Sequence, residues 1–300
     1  MIRQLDINTD GEPLYKLWDK VLGDMWRIKK DVFLKTIESG GVEGSYAAIK
    51  EGVTVGFVIT KIGKKGEVMV IMVDKKWQRQ GIGTELMTKA VEYFKANGIS
   101  EIQLGAGANP YLWPGVPDSL SHAISFFEKL GWEYDEESLD MVGDLGGYVT
   151  PAEIFRSINE LGINLVIANK TEEKEIIEFE KANFSQWVKY FESALAGESG
   201  EEVLIAIDRN NEILGTALVG KKPIIWNEIL GNKVGTMGAL GVKESARGQG
   251  IGMAMAAKAT EMLKEEGLDK SYLGWTWLVD WYGKLGYKVW RKYKMSYKRL

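Results

Sequence analysis

One glycine-rich hexapeptide pattern occurs twice in this chain of 300 residues, and a single-domain plan does not account for it. Arg247-Gly248-Gln249-Gly250-Ile251-Gly252 follows the uncharged run Val234–Val242 and leads into the apolar stretch Met253–Leu263, which Glu266-Gly267 ends. Gln78-Arg79-Gln80-Gly81-Ile82-Gly83 follows Val68–Val73 and leads into Thr84–Ala96, which Asn97-Gly98 ends. Leu86, Met87, Ala90, Val91 and Phe94 recur at helical spacing, so each copy reads strand, glycine loop, helix. A second pair lies further on, Phe126-Phe127-Glu128-Lys129-Leu130-Gly131-Trp132 and Trp281-Tyr282-Gly283-Lys284-Leu285-Gly286-Tyr287. Gly83 and Gly131 are 48 positions apart and Gly252 and Gly286 are 34 apart, so the first copy holds about 14 extra residues. The stretch Gly105-Ala106-Gly107-Ala108-Asn109-Pro110-Tyr111-Leu112-Trp113-Pro114-Gly115-Val116-Pro117 accounts for them most simply. Two paired motifs in the same order predict two similar domains in tandem, over 1–150 and 163–300, with 151–162 as linker.

Glycines in such a loop let backbone N–H groups approach a ligand without Cβ interference. The helix that follows presents unpaired donors and the positive end of its dipole, which favours an anion such as a pyrophosphate. Two familiar phosphate loops are excluded. No Gly-Lys-[Ser/Thr] ending is present, and Ala254-Met255 after Gly252 leads to no third glycine of a dinucleotide fingerprint. The remaining pattern is [Gln/Arg]-x-x-Gly-x-Gly after a strand.

That pattern resembles the acyl-coenzyme A signature of the GNAT superfamily of N-acetyltransferases. The resemblance covers both halves and implies an α/β fold with a mixed, α+β-like sheet in each of two tandem GNAT-type acyltransferase domains. It implies acetyl-coenzyme A as cosubstrate, held by Leu240, Gly241 and Val242 along its pantetheine arm. Arg247, Gly248, Gln249, Gly250, Ile251, Gly252 and Met253 would hold the pyrophosphate. A second coenzyme A site would use Val73, Gln78, Arg79, Gln80, Gly81, Ile82, Gly83 and Thr84. By position, Tyr282 is the tyrosine that protonates the leaving thiolate; the alternative is a core aromatic at a helix end. Phe127 stands at that position in the first half and has no proton to give, so catalysis is expected in the second half.

The chain also departs from the family pattern. Trp275 stands where an asparagine is common, seven residues before the tyrosine, and Thr236–Val242 carries no glutamate to serve as base. Asp280 is the nearest candidate base, with a helix N-cap as its bland alternative. Trp275 and Trp277, placed on one face of a strand, and Trp113 on the inserted loop are candidate acceptor-binding rings. A cluster of tryptophans is more often core than ligand platform. The insert and two-domain plan resemble a bacterial group of tandem acetyltransferases acting on glucosamine and glucosaminides. A protein or small-metabolite amine acceptor and a non-catalytic acyl-coenzyme A binding module are the alternatives. The acceptor is expected to be a small-molecule amine.

Composition narrows the rest. A net charge of −4 gives no general attraction to nucleic acid or anionic membrane. Absence of cysteine and a single histidine, His122, leave no thiolate nucleophile, disulfide or His-rich metal cluster, so no metal is expected. No signal peptide and no run of about 18 apolar residues is present, so a cytoplasmic protein is expected. The predicted order in the first half is a strand at Ile2–Ile7, helices around Leu14–Leu22 and Val32–Ile37, then strands Tyr46–Lys50, Val53–Lys61 and Glu67–Val73. The second half repeats it, with Val203–Asp208 pairing Ile213–Gly220 across Asn210-Asn211.

Overall fold

A computed structural model describes residues 1–107, 111–221 and 224–300. The chain forms two compact units, one of residues 1–139 with 291–300, the other of residues 140–290.

In the first unit β1 (Ile2–Gln4) precedes α1 (Ile7–Leu22) and α2 (Lys30–Gly40). The first helix starts earlier than its apolar pattern indicates because Asp6 caps it, accepting from the Asn8 N–H at 3.0 Å. The meander β2 (Tyr46–Lys50), β3 (Val53–Ile62) and β4 (Gly66–Val73) follows. Glu51 and Gly52, both at positive φ, make the tight turn between β2 and β3. Then come α3 (Ile82–Ala96), β5 (Glu101–Leu104), β6 (Val116–Pro117) and α4 (Ser121–Lys129). The sheet order is β1-β2-β3-β4-β5, with β4 and β5 the parallel pair.

The chain crosses to the second unit inside β7 (Glu136–Asp144), and α5 (Arg156–Leu161) follows. The duplicated plan then repeats: β8 (Asn164–Ile167), α6 (Glu173–Asn183), α7 (Val188–Leu195), β9 (Glu201–Ile207) and β10 (Ile213–Gly220). After the short α8 (Asn227–Leu230) come β11 (Val234–Val242), α9 (Ile251–Glu265), β12 (Lys270–Thr276) and α10 (Val279–Gly283). The sheet runs β12-β11-β10-β9-β8. Helix α9 packs its Met255 on one face with Ala217, Met237 and Leu273, whereas Ile176 of α6 and Phe191 of α7 cover Val203, Ile205 and Leu218 on the other.

Two strands complete the chain. Inside β13 (Lys288–Met295) it returns to the first unit, where Tyr293 and Lys294 pair with Pro117 and Val116. The last strand, β14 (Tyr297–Arg299), then pairs antiparallel with β5. The division therefore falls at Leu139/Asp140 rather than near residue 150, and the last ten residues lie with the first half of the sequence. Residues 151–162 form no free linker: α5 packs its Ile158 into the core beneath α9.

Candidate active site

In the second unit the parallel pairing of β11 with β12 spans Val234–Thr236 and Lys270–Tyr272. Beyond it the two strands part. On its other edge β11 carries a bulge: between Thr216↔Gly241 and Leu218↔Gly238, Ala239 and Leu240 face the single Ala217. Ala239 takes a positive φ of 45° there. A bulge leaves backbone groups outside the ladder and re-aims them, so the segment Ala239–Val242 can offer amide groups to an extended ligand lying in the gap.

Beyond Val242 the chain makes a short 3₁₀ turn, Glu244–Ala246, and then the glycine loop. Gly248 and Gly250 adopt φ of 79° and 82°, conformations that only glycine takes without strain. The first N–H of α9 with a carbonyl partner is that of Ala254, bonded to Gly250 at 3.0 Å, so earlier amides face outward. A Cβ on Gly250 would fall 2.6 Å from the Ser157 hydroxyl oxygen of α5. Arg247 donates its Nε–H to the Val242 carbonyl at 3.1 Å, tying the loop to the strand end. Gln78 makes the same lock in the first unit, its Nε2 donating to the Val73 carbonyl at 2.8 Å. This gives a physical reason for Arg or Gln at the first motif position: each carries an N–H that reaches back five residues.

The two loops share their backbone path, with Arg79 at φ 62° and Gly81 at φ 82°. Their charges differ. The first turn of α9 contains no acid, whereas Glu85 sits in the first turn of α3 and Asp74, paired with Lys20 at 2.6 Å, precedes the loop. Carboxylates near the helix N-terminus compete with an anionic ligand. Thr84, also in the first turn, is exposed, and Ile82 is buried.

Tyr282 lies in α10, largely buried, with its ring edge-on to Trp281 at 4.7 Å between centroids. Trp281 in turn reaches the glycine loop: a Cβ on Gly252 would fall 3.5 Å from its ring. Phe126 takes that place against Gly83 in the first unit, and Phe127 is buried where Tyr282 stands. Burial pushes the Tyr282 hydroxyl up to about 12, with the neighbouring Tyr287 adding to the effect, so it is a neutral proton donor at ordinary pH. Asp280 is exposed in the same helix, and the N-cap position belongs to Leu278, so its carboxylate makes no cap.

The candidate rings are dispersed. Strand β12 ends at Thr276, and Trp275 has a φ of 53°, so Trp275 and Trp277 do not continue one strand face. Trp275 is half-buried; Trp277 is 71% exposed. Trp113 lies in the first unit, buried and stacked on Trp18 at 5.3 Å, with Trp26 edge-on at 5.4 Å. Phe33 and Tyr293 complete that cluster. Its ring is core there, packed among aromatic side chains. Part of the insert, residues 108–110, lies outside the described residues.

Two acidic residues that the sequence reading passed over also meet this site. Asp140 of β7, almost fully buried, accepts from the Tyr272 hydroxyl at 2.8 Å and from the Trp275 N–H at 3.1 Å, holding Trp275 in its left-handed conformation. Glu180 of α6 is fully buried and accepts from the Thr216 hydroxyl at 2.6 Å, with its other oxygen unpartnered among the described residues. Burial pushes Glu180 up to about 7, against the lowering effect of the Thr216 hydrogen bond. Sequence signals for them were weak. Glu180 sits in a charge-rich helical run, and Asp140 belongs by order to the other repeat.

Among solved structures, the chain is similar to a fungal GCN5-related glucosamine N-acetyltransferase region within a multi-domain GH3 beta-N-acetylglucosaminidase. The TM-score is 0.90 at 29% identity, covering 99% of this chain and 38% of that one. A GCN5-related N-acetyltransferase from Sphaerobacter thermophilus has the same fold, with TM-score 0.75 at 16% identity over 100% of this chain and 95% of that one. An uncharacterized N-acetyltransferase of Methanocaldococcus jannaschii is 32% identical over 112 residues, 35% of this chain and 45% of that protein. The chain thus spans less than half the length of the fungal chain and of the archaeal relative it matches. Residues 12–132 and 168–287 each match the acetyltransferase (GNAT) family, one match within each repeat. With both of its glycine loops inside those matches, the chain belongs to the acetyltransferase (GNAT) family.

Proposed function

We propose that this protein transfers an acetyl group from acetyl-coenzyme A to a primary amine in its second unit, and that the acceptor is the amine of glucosamine or a glucosaminide. The observation that carries this reading is the contrast between two similar cradles: only the one without an acidic first turn is followed by a tyrosine, Tyr282, at the position of Phe127. The pyrophosphate would lie on the amides of 248–253, with Arg247 at its edge, and the pantetheine arm along Leu240–Val242. The residues present suit that ligand, because the loop needs two glycines at positive φ and β11 leaves its edge open.

In the reaction a neutral amine attacks the thioester carbonyl carbon, the N–C bond forms and the C–S bond breaks. The bulge at Ala239–Leu240 supplies backbone amides to the developing oxyanion. Tyr282 gives its hydroxyl proton to the departing sulfur. The amino-sugar acceptor is supported by the 29%-identical fungal region named as a glucosamine N-acetyltransferase, and by indole rings at the end of β12. A pyranose offers an apolar face to such a ring, whereas a lysine chain loses more rotamer entropy on binding.

The test is a parallel assay of glucosamine, a chitosan oligomer and a lysine peptide at equal concentration, reading thiol release from acetyl-coenzyme A. Both sugars should be acetylated faster than the peptide. Preference for the peptide moves the acceptor to proteins, and no release with any amine leaves a coenzyme A binding module.

A further inference from the structure

The buried carboxyl of Glu180 has no role in the scheme above, yet that scheme lacks a group to take the proton from the acceptor's ammonium. The sheet register places Glu180 beside the reacting segment. Its partner Thr216 pairs with Gly241, next to the bulge residue Leu240. Phe184, whose N–H bonds the Glu180 carbonyl at 2.7 Å, packs its ring against Gly241. Thr216, Leu218 and Ala239 face α6 and α7, while Ala217 and Leu240 face the core under α9. Close packing of Ala254, Met255 and Leu273 fills the α9 side, whereas Gly238, paired with Leu218, is exposed and an added Cβ there would meet nothing within 4 Å, so the room for an acceptor lies on the side of α6.

We propose that Glu180 accepts the acceptor ammonium's proton through one ordered water seated at its free oxygen. This rests on the acetyltransferase reading. A buried carboxyl oxygen without a partner costs free energy, and an internal water is the ordinary answer to such a group. The ammonium gives its proton to this water, and the water passes one to Glu180. The nitrogen lone pair then forms the N–C bond while the C–S bond breaks and Tyr282 protonates the sulfur; the second proton lost by the nitrogen returns the Tyr282 phenolate to its neutral form. Glu180 afterwards returns its proton to solvent, so acetyl-coenzyme A and an ammonium become an amide, free thiol and one released proton.

Among the described residues, burial and the Thr216 hydrogen bond are what act on the Glu180 carboxyl, and no neighbouring charge opposes this role. The facing strand β10 and the adjoining β11 carry no ionisable side chain, and Lys189 and Glu192 of α7 are exposed. The remaining charges of α6 (Glu173, Lys174, Glu175, Glu178 and Lys181) are exposed as well.

The test uses the full chain with two variants. Glu180→Gln should lower kcat with glucosamine by about 100-fold or more, abolish the acid limb of the pH–rate profile, and leave the KM for acetyl-coenzyme A within about twofold. Thr216→Val, which removes the hydrogen bond to the other oxygen, should move that limb to higher pH, and it carries the test if Glu180→Gln fails to fold. Alongside, the carboxyl carbon of Glu180, assigned by Glu180→Gln or by Thr216→Val in a ¹³C-glutamate-labelled chain, is followed by NMR with coenzyme A bound. Adding glucosamine should shift it. An unchanged kcat and acid limb in Glu180→Gln, or a resonance that no amine moves, overturns the proposal. If the wild type acetylates no amine the function proposed above falls, and the resonance alone then decides for or against Glu180.

Discussion

Tyr282 and Phe127 differ by one oxygen atom, and that atom separates the two units chemically. Tyr282→Phe should reduce turnover by about 100- to 10,000-fold while coenzyme A affinity stays unchanged; calorimetric titration beside steady-state assay reads both. Because burial holds the hydroxyl near about 12, the wild-type rate should show no alkaline limb from this group below about pH 10. Glu180 acts on stability with a definite sign. Its folded carboxyl is raised to about 7 from an unfolded value near 4.5, so the folded state binds more protons between those values and stability falls as pH rises through that window. Glu180→Gln should therefore gain about 3 kcal/mol relative to wild type between pH 4 and pH 8, measured by urea unfolding at each pH. A gap that does not change with pH would mean that Glu180 is already ionised without penalty.

At the scale of elements, the glycine loop and the end of β12 divide the work. The loop is held by a strand-to-side-chain lock, through Arg247 here and Gln78 in the first unit. At Gly250, valine would suffer both the positive φ and contact with Ser157, so Gly250→Val should weaken coenzyme A binding strongly. Gly81→Val suffers the same positive φ, but its added Cβ meets nothing within 4 Å, and it should leave turnover nearly intact if the first cradle takes no part in catalysis. Comparing the two folded variants by titration and by rate separates cradle from scaffold. The end of β12 depends instead on Asp140. Asp140→Ala removes the acceptor of the Tyr272 hydroxyl and the Trp275 N–H and should cost about 1–3 kcal/mol, read as a lower Tm. It should also raise the KM of the acceptor more than that of acetyl-coenzyme A.

For the whole molecule, the two sequence repeats and the two compact units are not the same objects. Residues 140–144 belong to the second unit and 291–300 to the first, so a cut at the repeat boundary removes a strand from one unit and leaves a strand without its partner in the other. A fragment of residues 163–300 lacks Asp140 and α5 and carries Tyr293, whose place is beside Trp26 in the first unit. It should express as an unfolded or aggregated chain by circular dichroism and size exclusion, whereas the full chain folds. A well-folded and active 163–300 fragment would show that the strand exchange contributes nothing essential. Truncation after Trp290 should likewise lower the Tm, by exposing Ile102 and Gln103 at the β5 edge that β14 covers.

The sequence by itself determined what is local and periodic. The glycine motifs, the hairpin at Glu51-Gly52, the strands Tyr46–Lys50, Ile213–Gly220 and Val234–Val242, and the duplication were legible because turn chemistry and apolar spacing act within a few residues. The family follows from the same motifs. Only the tertiary structure decided where strands from distant parts of the sequence settle. The β7 segment is glycine-broken near its end and β13 is rich in lysine, so neither advertises its partner; pairing energy, not local pattern, assigns them. Trp113 could not be told from a ligand platform by type alone, since a large ring suits both, and only packing against Trp18 and Trp26 placed it in a core. Glu180 was hidden for the converse reason: a glutamate among charged helical neighbours reads as solvated until the sheet register sets it under Thr216, where burial raises the free energy of its charged form.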